Sequence, residues 1–576
     1  MTAKTPTAWR SVVGRHPLVW ASACYLTVAV VSTHGLLRDP GHRLLADNPH
    51  DQELFEWWLA WVAHAVTGLH NPFVSPALNA PFGINAMANT SVLLPGLVFT
   101  PLTLAAGPGA SFALLTTLGP ALTGVTTLLT LRRFQAGAGG AFAGGLLVAL
   151  APGLHSQSLG HLHMSLAMAI PLILGDIVAL AIGRGEPRRV GLRLGLLASA
   201  QLLIGAEWLL ITSIAAIGLL IGLSWGAGPR RPDLPHLMKG LTAAVATAVP
   251  LSAVPLLYQF VGPQHTIGSP FNGADYVTDL ASFVVPSKLL LFSTDASSAH
   301  ALALPGGITE QTSYLGPLFL GWLLVAAVLL RRSRTVRACL VAASLVVLCG
   351  LGPLLTIDGR RTSVVLPWAD LGQLPLLDQA LPVRMAVVLP ILLAPVVALG
   401  VDRCLARLPS RLARLGLVAT AVTFVTLLPR PLATSPAAPA PGIFNARLTA
   451  SGGTLVTVPV VDPLNTAPLR WEAERQLPHR LVGVFGIIPD SAGHALLRPP
   501  PSYLSDALRA AASDRPPPVD EVKRRGVLQE LRRLRACAVV ALPDPYQDRS
   551  VRLLTAVLGP PVYAGDAPAW TLCSGG

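Results

Sequence analysis

The chain has 576 residues, of which 52% are hydrophobic, and its mean hydropathy is +0.57. This composition excludes a soluble globular protein, and the length exceeds that of one ordinary domain. The formal net charge is +13, but the arginines fall mostly in short segments between apolar runs, which indicates membrane topology rather than a nucleic-acid-binding surface. We therefore expect a polytopic helical protein of the lipid bilayer and no nucleic-acid partner.

The first apolar run covers about residues 18–37, which is long enough to cross the ~30 Å hydrocarbon core of a bilayer. Lys4, Arg10 and Arg15 precede it, and no A-x-A cleavage site follows. This pattern predicts a first transmembrane helix with a cytoplasmic N-terminus rather than a cleaved signal.

A long first outer loop, residues 38–109, follows and contains the stretch LLADNPHDQELFEWWLAW at 44–61. From Glu53 to Val66 the apolar side chains recur on one face, which predicts a helix, and its tryptophans suit the bilayer interface. Residues 92–105 are apolar but short and contain two prolines. We interpret them as a juxtamembrane re-entrant or interfacial segment.

Apolar runs then alternate with basic segments as far as residue 430, and every predicted inner loop is basic, as the positive-inside tendency requires. With the first span this predicts about eleven transmembrane helices, separated on the outer face by longer loops at 262–313 and 356–383. The ten further spans are expected at about 110–131, 138–154, 164–182, 194–206, 208–225, 241–261, 314–330, 338–355, 385–401 and 415–428.

The composition changes after residue 430, where a proline-rich linker leads to residues 431–576. Strand-like runs at 454–460, 537–542 and 569–572 and a helical pattern at 522–534 predict a small extracytoplasmic α/β domain. Cys537 and Cys573 could pair there if their strands are neighbours; the alternative is two unpaired thiols. The predicted fold is thus an all-α polytopic membrane domain, residues 1–430, followed by a C-terminal α/β domain.

Asp47, Asp51 and Glu53 are the first candidates for chemistry. A carboxylate at the mouth of a membrane cavity can act as general base toward an acceptor hydroxyl, and partial burial raises its pKa toward that task. The alternative is a solvated acidic loop in which Asp51 is the N-cap of the next helix and Glu53 favours the helix dipole. The spacing alone does not separate these interpretations.

Further candidates come from distant outer segments. His161 and His163 end an outer helix in LHSQSLGHLHMS and could bind a phosphate or a metal, or only face the interface. Glu207 lies between apolar runs, where a carboxylate marks either a functional cavity or the outer turn. Arg384 enters a span from the outer side, where it could bind a lipid phosphate or extend to the headgroups without specificity. Glu310 and Tyr314 precede span eight in ITEQTSYLG.

The order of these features resembles the GT-C superfamily of integral membrane glycosyltransferases. The segment LADNPHDQELFEWWLAW is similar to the acidic first-loop motif of that family, with Asp51 matching the catalytic aspartate best and Asp47 second. The stretch 91–133 and the turn LPVRM around Arg384 are similar to the family's second-span region and its arginine-containing turns. Together with the preference for Arg over Lys, this suggests a bacterial, actinobacterial protein.

The resemblance implies transfer of a sugar from a polyprenyl-phosphate donor to an extracytoplasmic glycan, lipid or protein of the cell envelope, at the plasma membrane. Asp51 would be the general base, with Asp47 or Glu53 as its partner. A divalent cation, Mg²⁺ or Mn²⁺, held by Asp47, Asp51 and Glu53 is the candidate cofactor. The residues expected to bind donor or substrate are His50, His161, His163, Glu207, Glu310, Tyr314 and Arg384. The rival hypotheses are a lipid or solute transporter or flippase, and a non-catalytic envelope scaffold.

Overall fold

The computed structural model describes residues 17–225, 231–445, 453–564 and 567–573. The basic residues Lys4, Arg10, Arg15 and Arg230, which the sequence assigns to the inner face, lie outside these ranges.

Helices make up most of the described chain. They are, in chain order, α1 (Pro17–Arg38), α2 (Pro49–Thr67), α3 (Leu93–Ala106), α4 (Pro108–Arg133), α5 (Ala138–Ala149), α6 (Pro152–Gln157), α7 (Leu162–Ser165), α8 (Ile170–Ala181), α9 (Pro187–Ile204), α10 (Glu207–Ser224), α11 (Leu234–Val261), α12 (Asp295–Ala303), α13 (Pro317–Leu329), α14 (Arg334–Gly350), α15 (Trp368–Leu371), α16 (Leu389–Ala406), α17 (Arg411–Thr426), α18 (Ala467–Glu474), α19 (Tyr503–Ala511), α20 (Glu521–Arg533) and α21 (Gln547–Leu558).

Strands are short. They are β1 (Arg43–Leu45), β2 (Val74–Ser75), β3 (Ile84–Asn85), β4 (Leu354–Ile357), β5 (Arg360–Val365), β6 (Thr434–Pro436), β7 (Thr454–Val458), β8 (Arg480–Leu481), β9 (Ile488–Pro489), β10 (Ala495–Leu496), β11 (Ala536–Ala541), β12 (Val562–Ala564) and β13 (Ala567–Thr571).

Among the described residues, six helical segments are long and apolar enough to cross a membrane: α1, α4, residues 138–157, α10, α11 and residues 382–406. Three shorter apolar helices, α3, α8 and α13, accompany them. The chain is therefore a multi-pass membrane protein, while the total of about eleven spans stays a prediction.

Two local predictions are wrong. The span expected at 164–182 is interrupted between α7 and α8, because Pro171 lies at the start of α8 and a proline ring disfavours helix in the residues before it. Helix α2 begins at Pro49 with Asn48 at the N-cap, so Asp51 lies in the first turn and is not the cap. Proline is favourable at the first helical position because its missing N–H would have no partner there.

The contacts of the chain define two compact units. The helical unit contains α1 and residues 113–252 and 271–434, and the mixed unit contains residues 39–112, 253–270 and the segment from Ser435 onward. The first outer loop and the C-terminal α/β segment therefore belong to one compact unit. The boundary at residue 430 between a transmembrane and an extracytoplasmic domain stays a prediction.

The helical unit packs through small residues. A Cβ atom added to Gly218 on α10 would lie 2.5 Å from the Cα of Ala342 on α14, and one added to Gly222 would lie as close to Ala338. These glycines let the two helix backbones approach closely, which is how helices associate when water supplies little driving force. Ala215, Ala342 and Val346, all buried, continue the same core.

Arg133, at the end of α4, and Arg193, in the second turn of α9, have a structural partner. The carboxylate of Asp176 on α8 is buried and accepts hydrogen bonds from the guanidinium groups of Arg133 and Arg193. A buried carboxylate requires such compensation. These two arginines thus connect three helices in addition to contributing positive charge at predicted inner turns.

The C-terminal part of the mixed unit is built on a five-stranded sheet of order β12–β13–β11–β7–β8. β7 pairs in parallel with both β11 and β8, whereas β13 is antiparallel to β11 and to β12. The strands predicted at 454–460, 537–542 and 569–572 and the helix predicted at 522–534 are confirmed as β7, β11, β13 and α20. Because β11 and β13 are neighbours, Cys537 and Cys573 come together and form a disulfide.

Candidate active site

The acidic stretch of the first outer loop lies in the mixed unit, at the start of α2. Asp47 lies in the turn before the helix and is half-buried, and Asp51 is half-buried in the first helical turn. Asn48 Nδ2 donates a hydrogen bond to Asp51 Oδ2 at 2.6 Å. The position suits a carboxylate, because the first turn of a helix carries partial positive charge. Asp51 is therefore held in place without being removed from solvent.

Two further carboxylates, Glu53 and Glu56, are buried on the same helix, with 5% and 1% of their surface exposed. Glu53 Oε2 accepts a hydrogen bond of 2.5 Å from Thr466 Oγ1, and Glu56 Oε1 accepts one of 2.7 Å from Gln52 Nε2. Arg470 supplies positive charge, with Nε lying 3.6 Å from Glu56 Oε2 and a terminal nitrogen 2.5 Å from Glu474 Oε1. Both Thr466 and Arg470 come from the region of α18.

Burial dominates the titration of both carboxyls. It raises the pKa of Glu53 to about 7 against the opposing effects of Thr466 and Arg470, with Glu474 raising it further. It raises the pKa of Glu56 to about 8, opposed by Gln52 and Arg470. The Arg470 guanidinium by itself cannot compensate the three neighbouring carboxylates of Glu53, Glu56 and Glu474. Glu53 and Glu56 therefore retain protons near neutral pH.

His50 joins this group through its ring nitrogen Nδ1, which lies 2.8 Å from Thr466 Oγ1. The imidazole is half-buried in the first turn of α2. The mixed unit thus brings together His50, Glu53 and Thr466, and it places Asp51 in the same helical turn. We refer to His50, Glu53, Glu56, Thr466, Arg470 and Glu474 as the α2 cluster.

The helical unit contains a second polar group, centred on Arg384. The Arg384 guanidinium donates to both carboxylate oxygens of Glu310 at 2.6–3.1 Å and to Glu207 Oε2 at 2.7 Å. The geometry toward Glu310 is bidentate, which is the strongest arrangement of this ion pair. Arg384, whose charge beside an apolar run was expected to need a partner, therefore pairs with two carboxylates.

His161 extends the Arg384 group through an amide. Its Nδ1 donates to Gln157 Oε1 at 2.8 Å, and Gln157 Nε2 donates to Glu310 Oε2 at 3.1 Å. The ring of His163 lies 5.9 Å from that of His161, and burial, with Arg384 and His161 nearby, holds the pKa of His163 well below its ordinary value. Four predicted residues of this unit, His161, Glu207, Glu310 and Arg384, thus form one connected network with His163 beside it.

Glu310 is ionised in this network. Burial by itself would raise its pKa, but the Arg384 guanidinium, His161 and the hydrogen bonds from Arg384 and Gln157 outweigh burial and hold the pKa below its ordinary value. Tyr314 lies close by, where it lines a small cavity together with Glu310 and Asp279. Burial raises the pKa of the Tyr314 hydroxyl, which is therefore a neutral hydrogen-bonding group.

Several members of these groups were not among the predicted site residues: Glu56, Gln157, Thr466, Arg470 and Glu474. The sequence did hold one signal, since buried acidic residues require a basic partner. It could not choose that partner, because Thr466 lies 413 residues after Glu53.

The carboxylates proposed as metal ligands do not form a donor set. Among the described residues, no group of three His, Cys, Asp or Glu side chains has the geometry to hold a metal ion. The carboxylate of Glu53 faces Thr466, and that of Asp51 faces Asn48. Asp47, Asp51 and Glu53 therefore do not fit a Mg²⁺ or Mn²⁺ site in this arrangement.

Comparison with solved structures identifies the architecture. The arabinofuranosyltransferase AftD from mycobacteria superposes with a TM-score of 0.57 at 16% sequence identity, over 97% of this chain and 40% of AftD. The chain has the GT-C fold. The chain spans about 40% of the length of AftD, and the shared fold covers nearly all of this chain.

A second GT-C protein, the apo oligosaccharyltransferase of Archaeoglobus fulgidus, gives a TM-score of 0.46 at 12% identity, over 91% of this chain and 69% of that protein. No protein-family model matches the chain, and no characterised protein matches it in sequence.

Proposed function

We propose that the protein is a membrane glycosyltransferase that moves a sugar from a polyprenyl-phosphate donor to an extracytoplasmic acceptor of the bacterial cell envelope. The observation that carries the proposal is the GT-C fold shared with an arabinofuranosyltransferase over 97% of this chain. The arrangement of carboxylates at the start of α2 supports it, because glycosyl transfer requires a base near the acceptor hydroxyl.

In the proposed reaction, the acceptor hydroxyl attacks the anomeric carbon of the sugar while Asp51 removes the hydroxyl proton. The new C–O bond forms as the bond between the anomeric carbon and the phosphate oxygen breaks, and the phosphate leaves on its lipid with the electron pair. The configuration at the anomeric carbon is inverted. Asp51 suits this role because it is half-buried and fixed by Asn48. Asp47 and Glu53 are its proposed acidic partners.

We assign the donor and acceptor contacts to the remaining polar residues. Arg384 donates toward Glu207 and Glu310 with three of its nitrogen atoms. Its remaining N–H groups can point to a phosphate, and the two carboxylates fix the direction of the planar guanidinium. His50, His161, His163 and Tyr314 are the other proposed contacts.

The experiment uses purified full-length protein in lipid nanodiscs with radiolabelled polyprenyl-phosphate sugars and an envelope extract as acceptor. Asp51→Asn keeps the size of the side chain but removes the base, so we expect transfer to fall by about 100-fold or more. The matched control is Asp548→Asn, because Asp548 also lies in the first turn of a helix of the mixed unit and is exposed.

Full activity of Asp51→Asn would overturn the assignment of the base. Failure of the wild-type protein to transfer sugar from any polyprenyl-phosphate donor would overturn the proposed function itself. Equal loss in Asp548→Asn would show that the effect of Asp51→Asn is a general loss of folded protein.

A further inference from the structure

Helix α2 ends in a Schellman motif whose left-handed residue is a leucine. The backbone N–H of His70 donates to Ala65 O at 2.8 Å, and that of Leu69 donates to Val66 O at 3.4 Å. Leu69 has a φ of 53°, where glycine is the usual residue because a Cβ atom crowds the backbone. Its side chain is also 93% exposed. Leucine is thus unfavourable here for the backbone and in water, which indicates a partner for this side chain outside the protein.

The segment after Leu69 is fixed to the last turn of α11, within the mixed unit. Asn71 Nδ2 donates to the Tyr258 hydroxyl at 2.7 Å, and the ring of Phe73 stacks on that of Tyr258 with centroids 5.0 Å apart. Helix α11 has 28 residues and is therefore about 42 Å long, which exceeds the ~30 Å hydrocarbon core of a bilayer. Its last turn therefore lies close to one surface of the membrane, and so does Leu69.

The face of α11 next to this contact is open to lipid. Val254 precedes Tyr258 by one helical turn on the same face, and it is 51% exposed. Only 17% of the most apolar part of α11 is buried within the protein, the lowest share among the six candidate spans of the described residues. The segment that contains Leu69 therefore contacts α11 only at its end and leaves the next turn to the acyl chains.

Both segments that meet at Tyr258 lack charged residues. Residues 57–131, which include Leu69, and residues 240–274 contain no Asp, Glu, Lys or Arg. Charged side chains are costly at the boundary of the hydrocarbon, whereas a loop in water has no reason to exclude them. The rings of His64 and His70 make the side-chain contact that closes the Schellman motif, with centroids 5.5 Å apart. Such amphipathic rings suit the headgroup region of a bilayer.

We propose that Leu69 is a membrane wedge, whose side chain inserts among the acyl chains of the bilayer beside the end of α11 and fixes the end of α2 to the lipid surface. The partner is a phospholipid bilayer. Insertion removes the leucine side chain from water, while His70 and Asn71 stay at the level of the headgroups. This inference goes beyond the proposed function and does not depend on it.

The first test measures the depth of position 69 in the membrane. A polarity-sensitive fluorescent amino acid replaces Leu69 in the full-length protein in phospholipid nanodiscs. Its emission is quenched either by phospholipids with a doxyl group near the top of the acyl chain or by iodide in water. We expect the doxyl lipids to quench position 69 strongly and iodide to quench it weakly, because interfacial apolar groups lie about 5–10 Å inside the headgroup boundary.

The control places the same amino acid at Tyr563, an exposed residue of β12. The segment after Leu69 joins the sheet at β8, where Leu481 N donates to Ala77 O at 2.9 Å. β12 is the opposite edge strand, about 19 Å from β8. Position 563 should therefore show the reverse order, with strong quenching by iodide and weak quenching by the doxyl lipids.

The second test asks whether the Leu69 side chain holds this segment in the membrane. The fluorescent amino acid is placed at Val66, an exposed residue in the last turn of α2. Leu69→Asp should lower the quenching of position 66 by doxyl lipids about twofold or more, because a carboxylate is excluded from hydrocarbon. Leu69→Phe should preserve it. Leu69→Gly should also lower this quenching without lowering thermal stability, because glycine suits the left-handed backbone.

Equal quenching of positions 69 and 563 by the doxyl lipids would overturn the membrane wedge. Unchanged quenching of position 66 in Leu69→Gly would overturn it as well, and this variant keeps the test decisive if Leu69→Asp does not fold. A merely structural leucine would change thermal stability in Leu69→Gly and leave the quenching as it is. Failure of the protein to transfer sugar would overturn the proposed function alone, since neither measurement uses a substrate.

Discussion

Glu56 makes the stability of the protein depend on pH. Its carboxyl is buried and its pKa is about 8, compared with an ordinary value of 4.5. Because the pKa in the folded state is raised, the folded protein binds this proton more tightly than the unfolded chain does. The resulting stabilisation is complete below about pH 4.5 and is lost as the pH rises through about 8.

The two pKa values determine the size of the effect. Between pH 5 and pH 7 Glu56 should account for a loss of about 2.5 kcal/mol in the free energy of unfolding, and for about 3.5 kcal/mol by pH 8. Glutamine is neutral at every pH. In this variant Gln52 Nε2 can still donate to the side-chain oxygen at position 56, and Arg470 keeps its ion pair with Glu474. Glu56→Gln should therefore match the wild type near pH 5 and exceed its melting temperature by about 5 °C at pH 7.

Thermal unfolding of the purified protein can be followed by tryptophan fluorescence, since Trp57 and Trp58 are fully buried next to Glu56 on α2. The control is Glu521→Gln, which changes an exposed glutamate of the same unit and should change the melting temperature at pH 7 by less than Glu56→Gln does. A constant difference between Glu56→Gln and the wild type from pH 5 to 8 would refute the reasoning, because it would mean that Glu56 titrates alike in the folded and unfolded states.

Two further results are expected. Replacing Arg384 with Met leaves Glu310 and Glu207 without their positive partner and should destabilise the protein by about 3–5 kcal/mol, seen as a lower melting temperature. Adding Glu310→Gln to this variant should recover part of the lost stability. No recovery would contradict the ion pair. Cys537→Ser opens the 36-residue loop that the disulfide to Cys573 closes, and it should lower the free energy of unfolding by about 2–4 kcal/mol. Cys573→Ser and the double variant should lose no more stability than Cys537→Ser. A thiol titration of the denatured wild type that finds both cysteines free would contradict the disulfide.

The positions of the elements were largely predictable from the sequence. Apolar runs between basic turns predicted α1, α4, α10 and α11, because the bilayer length and the 3.6-residue period are both written in local composition. The strands β7, β11 and β13 followed from short β-branched and apolar runs in the same way. The start of α2 and the break before α8 were missed, because in both places a proline decides the helix end within one or two residues.

The site was only partly predictable. The sequence singled out Glu207, Glu310 and Arg384 as charged groups beside apolar runs, since such groups require partners. It did not show that they are each other's partners, because Glu310 lies 74 residues and Glu207 lies 177 residues before Arg384. The sequence placed the base at Asp51, whereas the carboxyls with raised pKa values are Glu53 and Glu56, whose burial depends on α18.

The amino-acid sequence by itself determined a multi-pass helical protein, an acidic turn at the start of α2 and a terminal α/β segment. These properties depend on residues that are neighbours in the chain. Only the tertiary structure decided that Thr466 and Arg470 face α2, that Arg384 is shared by two carboxylates and that Cys537 meets Cys573. The physical reason is that burial and pairing, which set the charge of a carboxyl, arise from contacts between segments tens to hundreds of residues apart.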